Sequence, residues 1–137
     1  MKVAILYSPK HQKLEESAKF LGRALEEQGH RAELLPFGQS DRSHNLRSYD
    51  FLYLGSVAEG IIGSKIPADV VEALKPYRGL EGIHSGAFLL KSAFGFGNTK
   101  GLTRLMGLLE SQGSIVMDFQ LIQRQSDCTA LAKRLKR

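Results

Sequence analysis

The sequence predicts one α/β domain, residues 1–137, with a five-stranded parallel sheet of order 2-1-3-4-5 and helices on both faces. Two observations predict this fold. Short apolar runs without polar alternation recur along the chain, which is typical of parallel strands buried on both faces. Amphipathic segments of helical period separate these runs, and such alternation implies parallel strands joined by right-handed crossovers. For five such strands, 2-1-3-4-5 is a common order.

The first half of the chain contains two predicted strands and a helix. Residues 3–7 form an unbroken apolar run and predict the first strand. Apolar residues recur at helical spacing between Leu14 and Leu25, and Gly29 stands where a glycine ends a helix. Residues 32–37 predict a weaker strand at a sheet edge, because a proline lies near its end. The polar segment 38–49 contains at most one helical turn in this interpretation.

The second half repeats the alternation of strands and helices. Pro67 is expected in the first turn of its helix, and Ser126 is expected to cap the last helix. The predicted strands are residues 51–55, 86–91 and 115–119, and the predicted helices are residues 68–74, 102–109 and 127–137.

Composition restricts the classes of function. Hydrophobic residues make up 42% and charged residues 24% of the chain, as in ordinary globular domains, and the net charge of +5 favours anionic partners. Cys128 is the only cysteine and the four histidines lack zinc-ligand spacing, so no metal site is predicted. No signal peptide or membrane span is recognisable. We therefore expect a cytoplasmic protein that binds neither membrane nor nucleic acid.

Loop lengths indicate where a site should lie. The segments that leave helices are short, whereas those that leave strands are long: residues 8–13, 38–49, 55–66 and 92–100. Parallel sheets bind ligands at the carboxyl ends of their strands, near the switch point between the first and third strands. The sequence therefore predicts a site at the carboxyl edge of the sheet, although ligand-free surface loops remain an alternative.

Cationic residues dominate the predicted loop after the first strand. Lys10, Lys13 and His11 follow Ser8 and lie beside the positive end of a helix dipole, where an anion would be favourable. This pattern predicts a phosphate or carboxylate site, and a solvated turn is the alternative interpretation.

Glycines characterise the other two predicted binding loops, and the loop after the fourth strand also carries two phenylalanines. Glycine permits close approach of the backbone to a ligand, and phenylalanine offers a face for stacking. The apolar residues of the loop after the third strand need cover, either from the protein itself, which is the commoner case, or from a flat apolar ligand. The candidate residues are Gly55, Ser56 and Val57 after the third strand, and Phe94, Gly95, Phe96 and Asn98 after the fourth.

Several motifs resemble those of flavodoxins over nearly the whole chain. Residues 49–56 (YDFLYLGS) match the Y-D-x-I-x-x-G-S strand of that family and the entry to its flavin-contacting loop. Residues 80–82 resemble its L-x-G segment, and residues 63–67 (GSKIP) resemble its G-x-x-P segment with one additional residue before the proline. The resemblance implies FMN as cofactor, with its phosphate near residues 8–13 and its ring between residues 55–60 and 94–97.

The first loop departs from the flavodoxin pattern S/T-x-T-G-x-T. Only Ser8 matches, while Lys10, His11 and Lys13 replace the threonines and the glycine. Two functions therefore remain open. One is an FMN-dependent electron carrier or reductase with a redox protein partner, and without catalytic residues of its own. The other is a cofactor-free interaction or regulatory module that docks an anionic partner.

Overall fold

The computed structural model describes residues 1–38, 45–59, 65–91 and 98–136. These residues form five strands and four helices in alternating order. The strands are β1 (Lys2–Tyr7), β2 (Arg31–Pro36), β3 (Phe51–Val57), β4 (His84–Leu90) and β5 (Ile115–Ile122). The helices are α1 (Gln12–Glu27), α2 (Ala68–Leu74), α3 (Asn98–Ser111) and α4 (Gln125–Arg134).

The sheet has the predicted topology. Its order is β2-β1-β3-β4-β5, and every neighbouring pair is parallel. β1 and β3 lie side by side although β2 separates them in the chain, so the switch point lies between β1 and β3. The prediction of an open parallel sheet with the first strand in its interior is confirmed.

Two cores cover the two faces of the sheet, which explains the unbroken apolar runs. Along β1, Val3, Ile5 and Tyr7 face the core formed with α1 and α4, whereas Ala4 and Leu6 face the core formed with α2 and α3. Alternate residues of one strand are thus buried on opposite faces.

Two glycines make room for two aromatic rings in the core on the α1 and α4 side. Tyr53 of β3 pairs with Gly86 of β4, and Gly55 of β3 pairs with Phe88 of β4. A Cβ atom at Gly55 would overlap the Phe88 ring, and one at Gly86 would lie 2.9 Å from Cε1 of Tyr53. Each ring therefore lies over the glycine of the neighbouring strand. Both rings are fully buried.

Three strands extend beyond a predicted end, because they include polar residues whose side chains make hydrogen bonds within the protein. β3 continues through Ser56, whose Oγ donates to the Val57 carbonyl at 3.0 Å. β4 begins before residue 86 and includes Ser85, whose hydroxyl lies 2.6 Å from that of Ser114. β5 extends to Ile122, and the Gln120 side chain accepts a hydrogen bond from the α4 helix.

The predicted cap of the last helix was wrong. Ser126 lies inside α4, which begins at Gln125 after the capping residue Arg124 and ends at Arg134. The reason is Asp127, whose Oδ2 accepts the backbone N–H groups of Gln123 and Arg124 at 2.8 and 3.0 Å. This carboxylate satisfies amides ahead of the first turn and so moves the start of the helix towards β5.

β5 carries an irregularity and forms one of the two edges of the sheet. Ser85 pairs with Val116 but Gly86 pairs with Asp118, so Met117 is an extra residue, a β-bulge. Met117 is 61% exposed. The bulge is adjacent to Gly86, and both features affect the cavity described below.

Candidate functional site

The β1–α1 connection, residues 8–11, is shorter than the predicted loop 8–13 because α1 already begins at Gln12, and it ends in a helix start without a side-chain cap. Ser8 is buried, and its Oγ accepts the Lys10 N–H at 3.4 Å. His11 occupies the N-cap position of α1 but makes no capping hydrogen bond through its side chain. The first N–H groups of this 16-residue helix, together with its dipole, therefore form a site suited to an anion.

Lys10 contacts the beginning of α2. Its Nζ lies 3.4 Å from Oδ2 of Asp69, and the two side chains are 72% and 41% exposed. Exposed ion pairs of this kind are weak, so the Lys10 ammonium can exchange this carboxylate for another anion. Sequence reasoning missed Asp69, although an acidic residue in the first turn after Pro67 was a visible signal.

Lys13 faces a different helix. With Arg124 and Cys128 it lines a cavity of about 260 Å³ between α1 and the start of α4. Because α2 and α4 lie on opposite faces of the sheet, the structure does not join Lys10 and Lys13 in one site.

The predicted third-strand contacts lie in β3 rather than in a loop after it. Gly55 is covered by the Phe88 ring, and Ser56 is fully buried with its hydroxyl donating to a carbonyl. Val57 packs against the core on the α1 and α4 side. The strand continues because these side chains are satisfied within the protein. They position the backbone that follows.

Two backbone hydrogen bonds hold the two ends of the connection after β3 together. Glu59 and Lys65 form an antiparallel bridge, with N···O distances of 2.7 Å from Glu59 and 3.0 Å from Lys65. The predicted residues 60–64 of this loop lie outside the described residues. The bridge fixes both ends of the loop next to the carboxyl end of β3.

Most of the predicted fourth-strand contacts also lie outside the described residues, namely Phe94, Gly95 and Phe96. Asn98 is described: it is the first residue of α3 and is 2% exposed. Asn98 therefore begins a helix at the carboxyl edge, as the predicted site requires, but its side chain is enclosed by the protein.

Cys128 is not an activated nucleophile. Its side chain is buried, and its Sγ donates to the Ser17 carbonyl at 3.7 Å. Burial, and secondly the neighbouring Asp127 carboxylate, raise the pKa of this thiol to about 11. The thiolate that nucleophilic chemistry requires is therefore scarce at neutral pH.

The described parts of the chain contain neither a metal site nor a membrane-spanning helix. Within them, no group of three or more His, Cys, Asp or Glu side chains is placed to hold a metal ion. Among the same residues, no helix combines the length and apolar character needed to cross a membrane.

The chain resembles solved flavodoxin structures over nearly its full length. Flavodoxin 1 from Bacillus cereus is 20% identical, with 99% of this chain and 100% of that chain covered and a TM-score of 0.70. The two-electron reduced flavodoxin from Megasphaera elsdenii is 22% identical, with coverage of 96% and 98% and a TM-score of 0.71. A Fusobacterium nucleatum flavodoxin bound to flavin mononucleotide is 10% identical, with coverage of 96% and 95% and a TM-score of 0.68.

Sequence comparisons add nothing to this likeness: no protein-family model and no curated protein sequence matches the chain. At such low identity the structural likeness shows the fold alone, because one fold hosts many functions. The resemblance inferred from the motifs is confirmed at that level: the chain has a flavodoxin-like fold.

Proposed function

We propose that this protein binds FMN at the carboxyl edge of its sheet and transfers electrons to a protein partner. The single observation that carries the proposal is the uncapped start of α1, which follows β1 at the switch point of the sheet. Flavodoxin-like neighbours support it, since one of them is a flavodoxin bound to flavin mononucleotide.

The residues around this helix start fit a phosphate. Backbone N–H groups of the first turn of α1 would donate to its oxygens, as would the Ser8 hydroxyl, whose oxygen accepts the Lys10 N–H. Lys10 would exchange its exposed contact with Asp69 for the phosphate. Charge-assisted hydrogen bonds are stronger than neutral ones, so these donors offset the cost of desolvating the phosphate.

The ring of FMN would lie between the backbone after β3 and residues 94–97. Because the Ser56 hydroxyl already donates to a carbonyl and both backbone groups of Glu59 pair with Lys65, polar contacts on the β3 side would come from the backbone of residues 57 and 58. FMN supplies the one- or two-electron chemistry, and this chain binds it, orients it and limits access of water. Any reductase activity would use the same site.

Titration with FMN tests the proposal, with quenching of flavin fluorescence as the readout. We expect saturable quenching at micromolar protein concentrations. Lys10→Gln should weaken FMN binding about tenfold at low salt, because one charge-assisted contact is lost. Lys13→Gln is the matched control, since Lys13 faces α4 and should change binding less than about twofold.

Riboflavin distinguishes the two ends of the site. It lacks the phosphate, so Lys10→Gln should leave its weaker binding unchanged. Substitution of Phe94 and Phe96 by alanine should weaken both flavins, if the ring stacks on residues 94–97. Absence of saturable quenching at tens of micromolar protein would contradict the proposal. It would instead favour a cofactor-free module that docks an anionic partner through the same cationic connection.

A further inference from the structure

A second cavity lies far from the carboxyl edge, on the face of the sheet covered by α1 and α4. It has a volume of about 400 Å³ and is called here the α4 cavity. Its volume falls in the range of small-molecule pockets, which is roughly 300–1,000 Å³. The lining residues used below are Phe51, Tyr53, Met117, Asp118, Arg134 and Lys136.

Three backbone features create the α4 cavity. Gly86 offers no side chain between Tyr53 and Asp118, which lie in one row across β3, β4 and β5. The bulge at Met117 bends the edge strand at the same level. Finally, α4 ends at Arg134, so the amino ends of β3 and β4 are left without helix cover.

Tyr53 is one of the lining residues of the cavity, and it carries an unpartnered hydroxyl. Its side chain is fully buried, and among the described residues its Oη has no hydrogen-bond partner. Burial, and then the nearby Asp118 carboxylate, raise the pKa of this phenol, while Arg134 lowers it. The phenol therefore keeps its proton at neutral pH and can donate it to an acceptor.

The wall beside Tyr53 is a satisfied ion pair. Nε of Arg134 lies 2.9 and 3.1 Å from the two carboxylate oxygens of Asp118. One Nη of Arg134 also donates to the Phe119 carbonyl and to the Gln120 side chain. A charged group at this depth would meet no unpaired cation and would face the Asp118 carboxylate, whereas an uncharged acceptor suits the Tyr53 hydroxyl.

The rim of the cavity has a different character. Met117, which is 61% exposed, provides most of the apolar surface at its sides, next to the buried Phe51. Lys136 is exposed at the mouth and has no ion-pair partner among the described residues, and His84 lies at the same end. The outer part of the cavity therefore favours an apolar ring with an anionic group that points outward.

We propose that the α4 cavity binds a small aromatic carboxylate with an uncharged hydrogen-bonding group opposite the carboxylate. The inner group accepts the Tyr53 hydroxyl proton after a small shift of the tyrosine ring towards the cavity, because this hydroxyl is closed to solvent in the structure. The ligand ring packs on the exposed Met117 beside the buried Phe51, and the carboxylate meets Lys136. This order of contacts places each part of the ligand against protein groups of matching polarity. The cavity is independent of the FMN site, because it opens at the amino end of β3 and β4.

The probe that tests this site is 4-hydroxybenzoate, added to ¹⁵N-labelled protein and followed by NMR. For a ligand of this size we expect a dissociation constant on the order of 1 mM or below. Shifts should concentrate on amides of Met117, Leu135 and His84. Benzoate lacks the inner hydroxyl and should bind about fivefold more weakly, as expected for one neutral hydrogen bond.

Variants separate the hydroxyl from the rim. Tyr53→Phe should weaken 4-hydroxybenzoate about fivefold and leave benzoate unchanged. Lys136→Gln should weaken both acids about threefold at low salt and leave 4-hydroxybenzamide unchanged, because that probe has no charge. Tyr49→Phe is the matched control: Tyr49 does not line this cavity, so no probe should bind differently.

Three results would overturn the proposal. One is the absence of saturable shifts up to about 10 mM probe, because the dissociation constant would then lie well above the expected value of about 1 mM. Another is a set of shifts that maps outside the α4 cavity. The third is equal affinity of the Tyr53→Phe and unmodified proteins for 4-hydroxybenzoate, since the Tyr53 hydroxyl would then make no hydrogen bond to the ligand.

Discussion

The carboxyl edge and the α4 cavity use their polar groups in opposite ways. At the carboxyl edge the buried Ser8 and Ser56 hydroxyls already make hydrogen bonds within the chain, and Lys10 contacts Asp69 in solvent. In the α4 cavity the buried Tyr53 hydroxyl has no partner among the described residues, while the exposed Arg134 is fixed by Asp118. The carboxyl edge offers backbone N–H groups and an exposed cationic side chain, whereas the α4 cavity offers one buried hydroxyl donor.

This difference teaches how the two regions can recognise ligands. Backbone N–H groups at a helix start and exposed cationic side chains suit a phosphate, because both interact favourably with its negative charge. A single buried phenol suits a small uncharged group, because the phenol pays its desolvation cost whether or not a ligand is present.

The largest expected effect is a loss of stability on substitution of Gly55, which lies near the carboxyl end of β3, compared with Gly86, which lies beside the α4 cavity. Gly55→Ala should destabilise the protein by about 3 kcal/mol, because the enclosed Phe88 ring cannot move aside. Gly86→Ala should cost only about 1 kcal/mol, because the Tyr53 ring can shift into the α4 cavity. Urea unfolding followed by circular dichroism measures both, since the chain has no tryptophan.

Gly107→Ala is the control for these substitutions. Gly107 lies in α3 with nothing within 4 Å of an added Cβ, so alanine should stabilise the helix by about 0.5–1 kcal/mol. Equal destabilisation by Gly55→Ala and Gly86→Ala would mean that Tyr53 has no more room than Phe88. The α4 cavity would then be unable to adjust.

The second effect is a loss of stability at high pH. The pKa of Cys128 is raised to about 11 in the folded protein, so the folded state holds the thiol proton more tightly than the unfolded state, whose pKa is about 8.5. This contribution is complete below about pH 8.5 and is lost as pH rises to about 11, by about 2–3 kcal/mol.

Comparison with Cys128→Ala isolates the thiol. The variant should lose less stability between pH 8.5 and pH 11 than the unmodified protein, whatever its stability at pH 7. In the folded protein at pH 8, the thiol should also resist iodoacetamide. Rapid alkylation at that pH would show that the cavity between α1 and α4 admits solvent to Cys128.

The sequence predicted the parts of this molecule that follow from backbone periodicity and topology. Apolar runs such as residues 3–7 predicted the strands, and the sheet order placed the β1–α1 connection at the switch point. It could not reveal that Asp127 starts α4 early, because that depends on one side chain reaching back to two amides. Nor could it reveal the α4 cavity, which arises from the register between Tyr53 and Gly86.

The third effect compares two tyrosines that differ in their partners. Tyr49 donates to the Glu33 carboxylate, so Tyr49→Phe should cost about 1–2 kcal/mol, as for a hydrogen bond to a charged group. Tyr53→Phe removes a hydroxyl without a described partner and should change stability by less than about 0.5 kcal/mol. Thermal unfolding of the two variants measures the difference. A large cost for Tyr53→Phe would indicate a well-ordered bound water at its hydroxyl.

The smallest expected effect concerns Lys10 and Asp69 at the carboxyl edge. Both side chains are well exposed, so Lys10→Gln and Asp69→Asn should each change stability by less than about 0.5 kcal/mol. A double-mutant cycle in low-salt urea unfolding measures their coupling, which should also be below about 0.5 kcal/mol. A weak coupling means that Asp69 does not compete seriously for Lys10, so Asp69→Asn should strengthen FMN binding only slightly, less than about threefold. A coupling well above 1 kcal/mol would contradict this, because Lys10 would then be held by α2 rather than available to a phosphate.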